Sequence, residues 1–79
     1  SMARSGVMRL CILHKNVPGM LADITGLLRR DGVNVENLSN KSKGEYAYTL
    51  VDLGTPLLPG AEADLRRLDH VIRLRTLVW

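Results

Sequence analysis

Apolar residues crowd the segment from Val7 to Leu13. Its even positions Met8, Leu10 and Ile12 are all apolar while Arg9 interrupts the odd set, which predicts a strand with its even face on a core. From Met20 the period changes: Met20, Leu21, Ile24, Leu27 and Leu28 fall at i, i+1, i+4, i+7 and i+8, one stripe of an α-helix. Pro18 suits the first helical position, and Asn16 can offer its side chain just ahead of it. Arg29 and Arg30 complement the dipole of the last turn, and Gly32 is placed to take the left-handed conformation that stops the helix near Asp31.

Val33 and Val35 open a second strand, but the next apolar residue is Leu38, so the alternation slips by one position and predicts a bulge. Ser42-Lys43-Gly44-Glu45 is a turn signal, and the β-branched and aromatic run from Tyr46 to Leu53 closes an antiparallel hairpin. Gly54 to Gly60, with Pro56 and Pro59, reads as a loop, after which Ala61, Leu65 and Leu68 mark a short second helix. His70 falls in the loop before the last strand, which alternates Ile72, Leu74, Thr76 and Val78 on one face with Arg73 and Arg75 on the other. The order is β-α-β-β-α-β. This predicts an α+β, ferredoxin-like βαββαβ fold, a four-stranded antiparallel sheet with two helices on one face.

At 79 residues the chain is one domain, of a size that buries only about 60% of its unfolded surface, so self-association would help it. Ser1-Met2 reads as a residue left by tag removal followed by a start codon, which makes 1–5 a tag remnant or linker and 6–79 the domain. The single Cys11 cannot form an internal disulfide and sits in the first strand run, so a reduced, cytoplasmic protein with Cys11 in its core is expected. No run approaches the roughly 18 apolar residues of a membrane span, so no membrane partner is expected. A net charge of +3 spread over Arg29, Arg30, Arg66, Arg67, Arg73 and Arg75 reads as ordinary solvated surface.

The chemistry concentrates in His14-Lys15-Asn16-Val17-Pro18-Gly19, between the first strand and the first helix. A helix start carries unpaired N–H groups and a positive dipole end that suit a carboxylate, while Asn16 and His14 can bond other polar parts of one small molecule. Taken alone, Asn16 would simply cap the helix and His14 share a strand-end hydrogen bond. Asn34 changes that balance, because it opens the second strand, which this topology places at a sheet edge. Two copies pairing along that edge could bring Asn34 of one chain towards the first loop of the other.

These residues resemble the ACT domain, most closely the C-terminal regulatory domain of D-3-phosphoglycerate dehydrogenase. The likeness spans nearly the whole chain and includes His-x-Asn-x-Pro-Gly at His14 to Gly19, Gly32-Val33-Asn34, the hairpin Asn40 to Thr49, and the run Ile72-Arg73-x-Arg75 ending in an aromatic residue. The resemblance implies a serine-binding, allosteric feedback domain that is a homodimer. His14 and Asn16 of one subunit and Asn34 of its partner would hold the effector, joined by main-chain groups near Gly19, Met20 and Leu21. It also implies that this fragment is not itself an enzyme. The NAD cofactor of the parent oxidoreductase would sit in missing sequence, since no Gly-rich dinucleotide fingerprint occurs here.

The main alternative is an RNA-recognition-type domain that binds single-stranded RNA. Lys43-Gly44-Glu45-Tyr46-Ala47-Tyr48 partly mimics its third-strand pattern, but Glu45 occupies the expected aromatic position and the first strand has no aromatic residue. The two tyrosines are therefore expected to pack on the sheet or at a dimer contact, and no nucleic-acid partner is expected. An acylphosphatase-like hydrolase wants a cationic, phosphate-cradling loop, whereas the loop here has Lys15 but no Arg, and no paired carboxylates or activated nucleophile beside it. Cys11, His14 and His70 do not form a metal-ligand set.

Overall fold

The computed structural model describes residues 2–79; the expected tag remnant at Ser1 lies outside them. Six elements follow in the predicted order: β1 (Met8–Lys15), α1 (Met20–Arg30), β2 (Val35–Lys43), β3 (Tyr46–Leu53), α2 (Pro59–Arg67) and β4 (Val71–Val78). The strands form one antiparallel sheet in the order β2-β3-β1-β4, so β2 and β4 are its edges.

Directly paired residues share a face, which lets the register separate the two sides of the sheet. Leu10, Ile12, Ala47, Thr49, Val51, Leu53 and Leu74 point to one side and are buried. Met20, Ile24, Leu27 and Leu28 of α1 close over them with Ala61 and Leu65 of α2 and Leu57 from the preceding loop. Leu21, expected in that stripe, is more than a third exposed: it lies at the margin of the buried arc, one residue past Met20.

Two irregularities correct the parity of the edges. The slip foreseen in the second strand is a bulge at Glu36, which places both Val35 and Leu38 on the helix side opposite Leu53 and Val51. An unforeseen shift in β4 leaves Leu13 opposite Arg73 but His14 opposite Val71. Val71, and not Ile72, therefore packs on the core, and Ile72 is half exposed. The bulge sits just past His70, which takes a left-handed φ of 73° in the turn leading into β4.

The helix signals are of the expected types, but one of them is displaced. Proline opens α2, where Pro59 occupies the first turn, whereas Pro18 lies in a turn two residues before α1. Gly32 does end α1 in the left-handed region, at φ 71°, with its amide bonded to the Arg29 carbonyl. A Cβ there would meet nothing within 4 Å. Gly32→Ala is thus expected to cost only the backbone term, about 1 kcal/mol, measurable by urea titration.

The face opposite the helices carries a buried ion pair. Arg9 donates Nε to Asp52 Oδ1 at 2.7 Å and Nη2 to Oδ2 at 3.0 Å, and Asp52 is wholly buried. Residues in the stretch expected to be a linker cover it. Ser5 donates its amide and hydroxyl to Asp52, the Met2 and Ala3 carbonyls accept from Arg9, and Trp79 stacks under the Arg4 and Arg9 guanidinium groups. Cys11 is buried as expected, but on this side of the central strand and outside the helix-covered cluster.

Candidate functional site

The loop from Asn16 to Gly19 leaves β1 beside the β2–β3 hairpin and is tied to it. The Asn16 amide nitrogen of the backbone donates to the Glu45 carbonyl at 2.8 Å, and Asn16 Nδ2 donates to the Gly44 carbonyl at 3.2 Å. Asn16 therefore does not cap α1. Gly19 is the residue before the helix, at φ 88°, and no side chain caps the helix start. The first helical bond runs from the Asp23 amide to the Gly19 carbonyl, so the amides of Met20, Leu21 and Ala22 precede it and remain as donors for an acceptor from outside the helix. The anion-favouring helix start expected from the sequence is thus present, without the predicted cap.

His14 lies beneath this loop. It is 2% exposed and both ring nitrogens are engaged, Nδ1 with the Lys15 carbonyl at 2.8 Å and Nε2 with Thr49 Oγ1 at 2.7 Å. Thr49 Oγ1 also lies 2.8 Å from Asn40 Oδ1 on the edge strand. The imidazole thus belongs to a buried polar chain that runs across three strands and supports the loop from below.

Asn34 stands at the other end of the sheet. Its carbonyl accepts from the Gly54 amide at 2.8 Å and its Nδ2 approaches Glu36 Oε1 at 3.4 Å. Within one chain the fold gathers His14, Asn16, Gly19, Met20 and Leu21 at one end and leaves Asn34 at the opposite one.

A depression of about 380 Å³ opens beside the loop, lined by Lys15, Asn16, Val17, Glu45 and Tyr46. Motif spacing had singled out only Asn16 among these. The others become visible once Lys15 is known to pair with Tyr46 across the sheet, because that register sets the hairpin turn against the loop. Among the described residues neither Lys15 nor Glu45 forms an ion pair, so a cation and a carboxylate are both free beside the Asn16 amide. Such a set can meet the two charges of a zwitterion. No group of three metal-ligating side chains occurs among the described residues, and no helix among them is long and apolar enough to cross a membrane.

The βαββαβ sheet, with an uncapped helix start and an exposed edge strand, is a ferredoxin-like fold of the ACT type. The chain belongs to the AHAS small subunit-like ACT domain family, whose model matches residues 10–73; ACT domains typically bind amino acids or other small molecules in a regulatory role. Among solved structures it is similar to the ACT domain from GTP pyrophosphokinase of Chlorobium tepidum. The crystal structure of that domain gives a TM-score of 0.77 at 17% identity, over 91% of this chain and 97% of that one. Its solution structure gives 0.72 at 19% identity, over 90% and 84%. The C-terminal domain of the MgtC protein from Mycobacterium tuberculosis is similar at a TM-score of 0.60 and 11% identity, over 99% of this chain and 94% of that one. No curated protein sequence matches the chain. At these identities the structural likenesses carry the fold alone.

Proposed function

We propose that this domain senses a free amino acid at a site shared by two copies, and that L-serine, the effector the dehydrogenase motifs imply, is the ligand. One observation carries the shared site: Asn34 and the Asn16 loop lie at opposite ends of the same unpaired edge strand, β2. When two such edges pair antiparallel about a two-fold axis, the start of one β2 meets the end of the other. Asn34 of one chain then approaches the Gly44 turn of its partner, to which Asn16 is bonded. The effector carboxylate would take the free amides at the start of α1, and its ammonium and hydroxyl would divide between the two asparagines and Glu45. A ligand that bridges two chains favours the closed pair in proportion to its differential affinity, which is the regulatory step.

Serine biosynthesis as the setting, and an NAD-dependent dehydrogenase as the parent, belong to the same reading and rest on the motif resemblance. The residues present do not fit NAD: Gly19 is the only glycine in the β1–α1 turn, so NAD would have to be held by other sequence.

Sedimentation and isothermal titration with L-serine, glycine, L-valine and L-phenylalanine test the reading. Asn16→Ala and Asn34→Ala should each weaken binding about 10- to 100-fold, the effect of losing a hydrogen bond to a charged or strongly polar group. An equal mixture of the two variants should recover about a quarter of the sites, because half the dimers are mixed and each mixed dimer keeps one intact site. Either variant binding as wild type, or a mixture with no recovery, would show that the site is drawn wrongly. Preference for another amino acid would replace serine and leave the shared site standing.

A further inference from the structure

We infer that the helix-free face of the sheet is a binding surface for single-stranded nucleic acid, with Tyr46 and Tyr48 as stacking rings and Lys15, Lys41 and Lys43 as phosphate contacts. The proposal does not rest on the amino-acid reading, and it revises the expectation that no nucleic acid is bound.

The register places the residues. Tyr46 pairs with Lys15 on one side and Lys43 on the other, so these three cross the sheet as one row. In the next row Tyr48 lies between Lys41 and Leu13, with Arg73 beyond Leu13; Arg75 follows beside Cys11 in the third. All of these side chains share the face away from the helices. Of the two places expected for the tyrosines, on the sheet or at a dimer contact, the first leaves them half uncovered within the chain, since Tyr46 and Tyr48 are 49% and 44% exposed.

Charge on this face is one-sided. Lys15, Lys41, Lys43, Arg73 and Arg75 are exposed, and among the described residues none of them forms an ion pair. Of the carboxylates on this side of the strands, Asp52 is buried and engaged by Arg9, and Glu36 stands at the β2 bulge opposite Asp52, at the far end of the sheet from the Tyr46 and Tyr48 rows. A chain whose net charge is only +3 therefore collects five unpaired cations on one surface, which the sequence, read element by element, disperses into isolated residues. Positive charge without nearby acid is the electrostatic footprint of a polyanion site.

The rings choose among polyanions. Tyr46 and Tyr48, two residues apart on one strand, stand about 7 Å apart, each with a lysine across the register. A polymer that alternates planar bases with phosphates matches rings that alternate with cations; an acidic peptide or an anionic lipid surface needs the charge but gives the rings no stacking partner. Shallow depressions flank the pair, one of about 540 Å³ by Tyr48, lined in part by Asn37, Ser39, Lys41 and Leu50, and the one already described by Tyr46. Both can seat neighbouring bases and offer amide or hydroxyl groups to their edges. The missing aromatic on β1 is matched in position by Leu13, and the guanidinium planes of Arg73 and Arg75 on β4 extend the platform. Dimerisation through the β2 edges leaves this face open and sets two such surfaces side by side.

Fluorescence anisotropy with labelled eight-nucleotide oligo(U), oligo(A) and oligo(dT), against an eight-base-pair duplex, tests the inference in the intact chain. Single strands should bind and the duplex should bind at least about tenfold more weakly. Affinity should fall with salt at a logarithmic slope of about −2 to −3, as three or four phosphate contacts require. Tyr48→Ala should weaken binding about tenfold or more, and Lys41→Gln by a few-fold with a shallower salt slope, while Tyr48→Ala leaves amino-acid titrations unchanged. Glu45→Gln should strengthen binding about two- to threefold by removing the one exposed acid beside the row. Should Tyr48→Ala bind like wild type, should the duplex compete equally, or should only anionic vesicles bind, the proposal is overturned. RNA bound well ahead of DNA would assign the source to RNA.

Discussion

Asp52→Ala is expected to lower the melting temperature by about 10 °C or more, a large fraction of what a domain this small can lose. Asp52 is wholly buried and receives four hydrogen bonds, two from Arg9 and two from Ser5. Removing its carboxylate leaves the Arg9 guanidinium under residues 2–5 with backbone carbonyls and the Trp79 ring but no counter-charge. An uncompensated charge of this kind is more harmful than the intact pair is helpful, which is why the single substitution tells more than the pair's presence. The Arg9 hydrogen bond holds the Asp52 carboxyl below the ordinary carboxylate range, helped by the Ser5 amide and opposed by desolvation. Because the folded value is the lower one, the pair's contribution is complete above the unfolded value, near pH 4, and is lost as pH falls through the folded value. Wild type should therefore lose stability in acid below about pH 4, and Asp52→Asn should show a flatter acid limb from a lower plateau. Thermal melts from pH 7 to pH 2 measure both. An unchanged melting temperature in Asp52→Ala would mean that residues 2–5 do not seal the pair in solution.

The ion pair also shows where sequence reading stops. In the sequence Arg9 is an interruption of an apolar run and Asp52 lies unremarked within the Tyr46 to Leu53 strand; only the register that sets them opposite each other makes them a pair. Element types and order were legible because periods of 2 and 3.6 are local, and the Glu36 bulge was legible because it breaks a period. The β4 shift was not, since Val71 and Ile72 are equally apolar and the choice between them is made by the pairing with His14. The same limit applied to the loop. Asn16 was found by its type and position, but its partners Gly44 and Glu45 lie 28 and 29 residues away, and no local rule brings them together. The cations of the helix-free face were each visible; their gathering on one surface is a property of the sheet.

His14→Ala should destabilise the domain by about 2–4 kcal/mol, from the cavity and the unmet partners it leaves, against a total of roughly 4–12 kcal/mol for a chain of this length. The magnitude follows from burial and from bonds made at both ring nitrogens. The Lys15 carbonyl can only accept, so Nδ1 carries a proton. Nε2 meets the Thr49 hydroxyl, which in turn meets Asn40 Oδ1, so the ring anchors a hydrogen-bond chain that reaches the edge strand. The motif resemblance implies that His14 touches the effector; its place under the loop, with both ring nitrogens engaged, fits a positioning role instead, and the two roles predict different outcomes. Melting curves paired with serine titrations of His14→Ala and His14→Gln separate the roles. A positioning residue loses stability and affinity together, and glutamine, whose amide nitrogen can reach Thr49, restores part of both. If His14→Ala melted like wild type yet failed to bind, the imidazole would have to reach the ligand directly.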